Sequence, residues 1–233
     1  MALLDDLKNE VAHIFGEQWT TREGQVVPDP EDLKLSNDAI ILKRATVLYA
    51  DLKGSTKLVN AETWEFSAEI YKTFLHCAAK IIRKEGGDIT SYDGDRIMAI
   101  FLGDSQTNNA ARCGLKINYA VKNIVQPALK KQYPSRDYTI RHAVGIDTSK
   151  IHAARTGVRG DNDIVWVGRA PNFGAKLTEI DRTESTWLTK DAYDLLTDAQ
   201  KLGGDPKRNM WTAYTWNDQG GISIYGSSWW WQV

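Results

Sequence analysis

Two aspartates, Asp51 and Asp95, each stand where a short apolar run gives way to a turn. Ala45-Thr46-Val47-Leu48-Tyr49-Ala50 is apolar and β-branched and stops at Asp51; Leu52-Lys53-Gly54-Ser55-Thr56 follows, turn-prone and carrying a helix N-cap signal. Residues 88–92 and 96–101 are strand-like runs on either side of Asp93-Gly94-Asp95, and Asp-Gly between such runs is a strong hairpin signal. Two carboxylates on adjacent strand ends, with no obvious local cation to balance them, are what a pair of hard divalent ions requires. Each also has an ordinary alternative. Aspartate after a strand caps the next helix, and aspartate in a tight turn bonds its own backbone.

For the two carboxylates to meet, the intervening chain must return beside its starting strand. Phe66, Ile70, Tyr71, Phe74, Leu75, Ala78, Ile81 and Ile82 give 61–84 the spacing of one amphipathic helix, which Glu85-Gly86-Gly87 ends. A core strand at 44–51, this crossover helix and the hairpin bring Asp51 and the hairpin tip together. A second helix is predicted at 106–129. A half-buried strand follows at 138–147, with Ile140, His142, Val144 and Ile146 on one side; His142 reads there as a satisfied core histidine. Residues 155–162 form a glycine-punctuated loop or hairpin, and 163–168 a short strand. From Arg169 a helix starts, with Pro171 in its first turn. Asn172 and Lys176, four apart, project from one face of it, in a site or simply into solvent. A strand at 185–189, a short helix from Lys190 and two aromatic strands, 210–216 and 221–231, complete the chain. Trp229, Trp230 and Trp231 fit an edge strand or a subunit contact equally well.

The N-terminal residues 2–16 carry Leu3, Leu4, Leu7, Val11, Ile14 and Phe15 at helical spacing, and 17–38 are loop-like, broken at Pro28-Asp29-Pro30. Residues 1–38 therefore read as a helix and arm outside the main sheet, covering either their own domain or a neighbouring subunit. In 233 residues, 29 Lys and Arg nearly balance 30 Asp and Glu, which argues against bulk binding of nucleic acid or an acidic membrane. Cys77 and Cys113 sit in apolar helical patterns and read as reduced core thiols of a cytoplasmic protein. No run approaches the ~20 apolar residues of a spanning helix, and Met1-Ala2-Leu3-Leu4-Asp5-Asp6 lacks the basic start of an export signal.

From about residue 43 to 225 these motifs resemble, in order, those of the class III nucleotidyl cyclase catalytic domain. Val47-Leu48-Tyr49-Ala50-Asp51-Leu52-Lys53-Gly54-Ser55-Thr56 is similar to that family's first metal strand, and Gly94-Asp95 before Ile97-Met98-Ala99-Ile100-Phe101 to its second. Val167-Gly168-Arg169-Ala170-Pro171-Asn172-Phe173-Gly174-Ala175-Lys176-Leu177 resembles the segment carrying the transition-state asparagine and, one turn later, an arginine. The departures are specific. Ser91 and Val165 stand where purine cyclases read their base, Lys176 replaces the arginine, and Arg96 follows the second aspartate where a small residue is common. Tyr92-Asp93-Gly94-Asp95-Arg96 with Val167-Gly168-Arg169-Ala170-Pro171-Asn172 resembles the pyrimidine cyclases of bacterial Pycsar anti-phage defence.

The resemblance implies an α+β, ferredoxin-like sandwich: a mostly antiparallel sheet with helices on one face, in a head-to-tail homodimer whose active sites lie at the interface. Residues 39–233 would be the cyclase-like catalytic domain. Asp51 and Asp95, with the Leu52 carbonyl, would hold two Mg²⁺ or Mn²⁺ per site; Asn172 would orient the ribose and Lys176 offset charge at the α-phosphate. Tyr49, on the strand face of Asp51, would stack on and crowd the base, with Ser91, Arg96 and Val165 around it. UTP would become cyclic UMP, a messenger for a separate effector, and donor excess from Arg96 and Lys53 favours uracil over cytosine. The alternatives are a cytidylate cyclase, a purine cyclase with unusual base contacts, and an inactive nucleotide-sensing homologue.

Overall fold

The computed structural model describes residues 2–233. The chain runs α1 (Leu3–Gly16), β1 (Thr20–Glu23), β2 (Asp38–Leu52), α2 (Ser55–Ala61), α3 (Trp64–Lys84), β3 (Asp88–Asp93) and β4 (Arg96–Phe101). It continues through α4 (Gln106–Ala120), a π turn (Val121–Val125), α5 (Gln126–Gln132), β5 (His142–Val158), β6 (Asp161–Gly168) and α6 (Arg169–Thr178). β7 (Thr186–Thr189), α7 (Lys190–Asp194), α8 (Asp198–Lys201), β8 (Leu202–Gly203), β9 (Arg208–Asn209), β10 (Thr212–Trp216) and β11 (Ile222–Ser227) follow. The main sheet has the order β10-β11-β7-β5-β2-β4-β3, with β1 beside β2 and β6 beside β5. Only β1–β2 and β5–β7 pair in parallel. The fold is α+β with a mostly antiparallel sheet, as the resemblance implied.

Alternation along β2 divides the core. Leu48, Ala50 and Leu52 face a layer made by α3, α4 and the π turn, where Phe66, Ile70, Phe74, Ala78 and Ile82 of α3 are buried. Each such large side chain contributes about 1.5–3 kcal/mol relative to exposure. Ala45, Val47 and Tyr49 face the other way, against Ala170 of α6. Helices therefore cover both faces and not one. Glycine makes the second layer possible: a Cβ on Gly145 would lie 2.1 Å from the Gly174 carbonyl oxygen, so α6 presses directly onto β5.

Several boundaries differ from the sequence expectation. β2 begins at Asp38 because Thr20–Glu23 pair with it, so the arm joins the sheet instead of lying outside it; Arg22 anchors buried Asp38 at 2.8 Å. α1 buries none of its residues, although it borders its own domain: the Asn37 side chain donates to the Ile14 carbonyl at 2.7 Å. The helix expected at 61–84 is α3, which starts at Trp64 with the Thr63 side chain accepting from the Phe66 N–H; a separate short helix, α2, precedes it. The helix expected at 106–129 continues from α4 through the π turn into α5 and ends at Gln132, with Pro127 just after the π turn. The strand expected from 138 starts at His142. The tryptophan run is not a strand: Trp229 and Trp231 pack on the core, the Trp231 N–H donates to the Leu115 carbonyl at 3.3 Å, and Trp230 stays 47% exposed.

Candidate active site

β2 delivers Asp51 at its C-terminal end, directly opposite Arg96 on β4 and Ala143 on β5. The hairpin behind it places Asp95. Gly94 has φ +61° and Asp95 does not have positive φ, so the central pair is Gly94-Asp95 with glycine first, the II′ pattern, and not the Asp93-Gly94 pair suggested by sequence. Residues directly opposed across strands share a face. Two adjacent rows result, Asp51–Arg96–Asp93 and Tyr49–Met98–Ser91, both on the side of the sheet that α6 covers. Tyr49, Asp51, Ser91 and Arg96 are thus brought together.

Burial, reinforced by the neighbouring Asp95 carboxylate, pushes Asp51 up from 3.8 to about 6, against the opposing pull of Arg96. One oxygen of Asp95, Oδ2, is buried with no hydrogen-bond partner. An unpartnered carboxylate oxygen beside a second carboxylate is a donor set that a hard divalent cation satisfies. Among the described residues no group of three or more His, Cys, Asp or Glu side chains forms a metal cage. Two carboxylates completed by a backbone carbonyl and substrate phosphates is a common way to hold Mg²⁺. The Leu52 side chain is buried in the core, leaving only its backbone to contribute.

Arg96 is already engaged. Its guanidinium bonds Asp93 at 2.7 Å and lies 5.5 Å from the centroid of the Tyr49 ring. Tyr49 is therefore held between Arg96 and α6, where a Cβ on Gly174 would come within 3.2 Å of its ring. Lys53, counted among the donors for the base, points elsewhere: its Nζ donates to the carbonyls of Ile180 and Arg182.

Of the remaining predicted residues, Asn172 and Lys176 stand on the solvent side of α6 and Val165 lies far along the sheet. Asn172 and Lys176 are exposed on α6; Asn172 donates to the Gly168 carbonyl at 3.3 Å, and Lys176 lines a groove of about 520 Å³ with Glu179, Asp181, Tyr214 and Trp216. Val165 pairs with Ala154 on β5, and at ~3.4 Å per residue the strand from Ala154 to Ala143, beside Asp51, spans roughly 35 Å. It lines a separate groove with α1.

Sequence reading missed the residue that seats α6. Arg169 Nε and Nη2 bond the buried Asp147 at 2.9 and 3.2 Å, and Nη2 also bonds the Thr148 carbonyl at 2.7 Å. Thr189 donates to the same carboxylate. Burial still raises Asp147 above the ordinary carboxylate range. The signal available was an aspartate ending an otherwise apolar face, which needs a cation when buried.

No protein-family model matches the chain. The fold is that of class III nucleotidyl cyclases: the adenylyl cyclase CyaB from P. aeruginosa superposes with a TM-score of 0.66 at 20% identity, over 81% of this chain and 95% of that one. Two curated relatives named uridylate cyclase align over 100% of both chains, from Burkholderia cepacia at 54% identity and from Xanthomonas perforans at 44%. The chain belongs to the uridylate cyclase family.

Proposed function

We propose that this chain converts UTP to cyclic UMP and pyrophosphate, as a cytoplasmic homodimer with two Mg²⁺ or Mn²⁺ per active site. The observation that carries the reading is the closeness of the Asp51 carboxyl at the end of β2 to that of Asp95 in the β3–β4 turn, with Asp95 Oδ2 buried and unpartnered. Full-length likeness to chains named uridylate cyclase supports the choice of base. In the reaction the ribose 3′-oxygen bonds the α-phosphorus, the bond to the β-phosphate breaks in line, and the 3′-hydroxyl proton leaves to solvent. Asp51, Asp95 and the Leu52 carbonyl hold the ions. Such ions, when bound, supply Lewis-acid polarisation of the phosphate and neutralise the departing pyrophosphate.

Asn172 orients the ribose and Lys176 offsets charge at the α-phosphate, as a point charge without arginine's two-pronged grip. Tyr49, Ser91, Arg96 and Val165 surround the base, with Ser91 and Arg96 as donors to uracil O4. Val165, roughly 35 Å of strand from Asp51, serves the site of a second subunit, and the exposed Asn172/Lys176 face of α6 is assigned there on the likeness to class III cyclases. No helix among the described residues is long and apolar enough to cross a membrane. The cyclic nucleotide then acts on a separate effector in anti-phage defence, a role supported by the likeness of the Tyr92–Arg96 segment to Pycsar cyclases.

Incubating the purified protein with ATP, GTP, CTP and UTP in Mn²⁺ and identifying products by mass tests the reading. Cyclic UMP should dominate. Preferential cyclic AMP or GMP would overturn it, equal consumption of CTP would remove the donor argument, and nucleotide binding without any product would mark a sensor.

A further inference from the structure

A basic recess of about 270 Å³ at the end of the sheet plays no part in the cyclase reading. Lys53, Lys122, Arg141 and Arg182 line it, against one lining carboxylate, Glu184, which accepts from the Tyr214 hydroxyl. Asp181, the other acid nearby, stands 3.8 Å from Arg141 with its side chain 95% exposed. Unscreened positive charge of this density is costly unless an anion enters.

The inner wall carries hydrogen-bonding atoms with nothing to bond. His142 Nε2, Ser185 Oγ and Asn118 Oδ1 are all buried and unpartnered, on residues 6%, 8% and 1% exposed. A buried polar atom left unmet is unfavourable, and His142 is a buried histidine but not the satisfied one that sequence suggested. The Asn118 Nδ2 is committed to the Ser228 and Trp229 carbonyls at 3.0 and 2.9 Å, which fixes its Oδ1 as an acceptor with nothing to bond, on a residue that lines the recess. Ser185 donates, and neutral His142 donates as the Nε2–H tautomer. Two donors, an acceptor and a ring of cations match a phosphoryl group that carries one hydroxyl. Lys122 projects from the π turn, and π segments within α-helices often accompany functional sites.

The recess is not the back of the metal site. Ile140 and Val144, flanking His142, pack in the core beneath α3 and α4, whereas Asp51 belongs to the opposite face of the sheet. Lys53, bonded to the Ile180 and Arg182 carbonyls, stands between them.

We propose that this recess binds the phosphoryl group of a small molecule other than the nucleotide being cyclised. The assignment stands independently of the cyclase reading. Inorganic phosphate and pyrophosphate, titrated calorimetrically into the full chain, are the probes. Saturable binding should weaken at least tenfold in Lys122→Glu and in Arg182→Glu, and in the milder Lys122→Gln and Ser185→Ala, with melting temperatures checked, and should persist in Asp51→Asn. Binding that does not saturate, or that ignores these substitutions, overturns the proposal. Competitive displacement of phosphate by 3′-deoxy-UTP, with loss of binding in Asp51→Asn, would assign the recess to the substrate's own tail and overturn it equally.

Discussion

Asp51 sits half-buried against Asp95, and burial with that neighbouring charge raises its carboxyl from 3.8 to about 6. Between those values the folded chain keeps a proton that the unfolded chain has released. Its contribution therefore favours folding at low pH and is lost as pH rises through about 6. Asp51→Asn should melt at the same temperature as the parent near pH 4 in EDTA. At pH 8 it should be more stable by about 1–2 kcal/mol, the full shift being reduced for solvent screening. The same substitution should lower cyclase turnover at least about a hundredfold. Calorimetry at the two pH values and a turnover assay check both halves; a variant destabilised at pH 8 would mean that the carboxylate is structurally satisfied.

Gly145 shows the same sensitivity at the level of an element. A Cβ there would lie 2.1 Å from the Gly174 carbonyl oxygen and 2.7 Å from Leu177 Cβ, and backbone cannot swing aside as a side-chain tip does. Gly145→Ala should cost about 1–3 kcal/mol and, by lifting α6, lower turnover without changing the Asp51 environment; denaturant midpoints with kcat measure both. Elements whose causes are local were legible in sequence: the Gly94 turn, the α3 stripe, and the start of α6 at Arg169. Those set by distant partners were not. β2 starts at Asp38 only because Arg22 and Thr20–Glu23 meet it there, and α6 finds its layer through Gly145. Asp51 and Tyr49 could be grouped from strand parity and Asp95 from the crossover and hairpin, but nothing in sequence revealed that Arg96 would be claimed by Asp93 or Lys53 by carbonyls.

In the proposed dimer each chain would contribute part of two sites. With Asp51 and Asp95 on one edge and Val165 roughly 35 Å of strand away, two chains are needed to close one pocket in the proposed dimer. Mixing Asp51→Ala chains with Lys176→Ala chains should restore part of the activity that each lacks alone, since one of the two interfaces in the heterodimer keeps both halves intact. Verified heterodimers without activity would mean that each subunit is self-sufficient. The paired β2 and β5 act between these ends as a stiff lever. A tilt of about one degree over 35 Å moves the far end by roughly 0.6 Å, already beyond the ~0.5 Å that a reacting constellation tolerates. Arg155, which bonds Asn162 across the β5–β6 hairpin at 2.7 Å and the Leu33 carbonyl at 3.1 Å, ties that far end to the segment before β2.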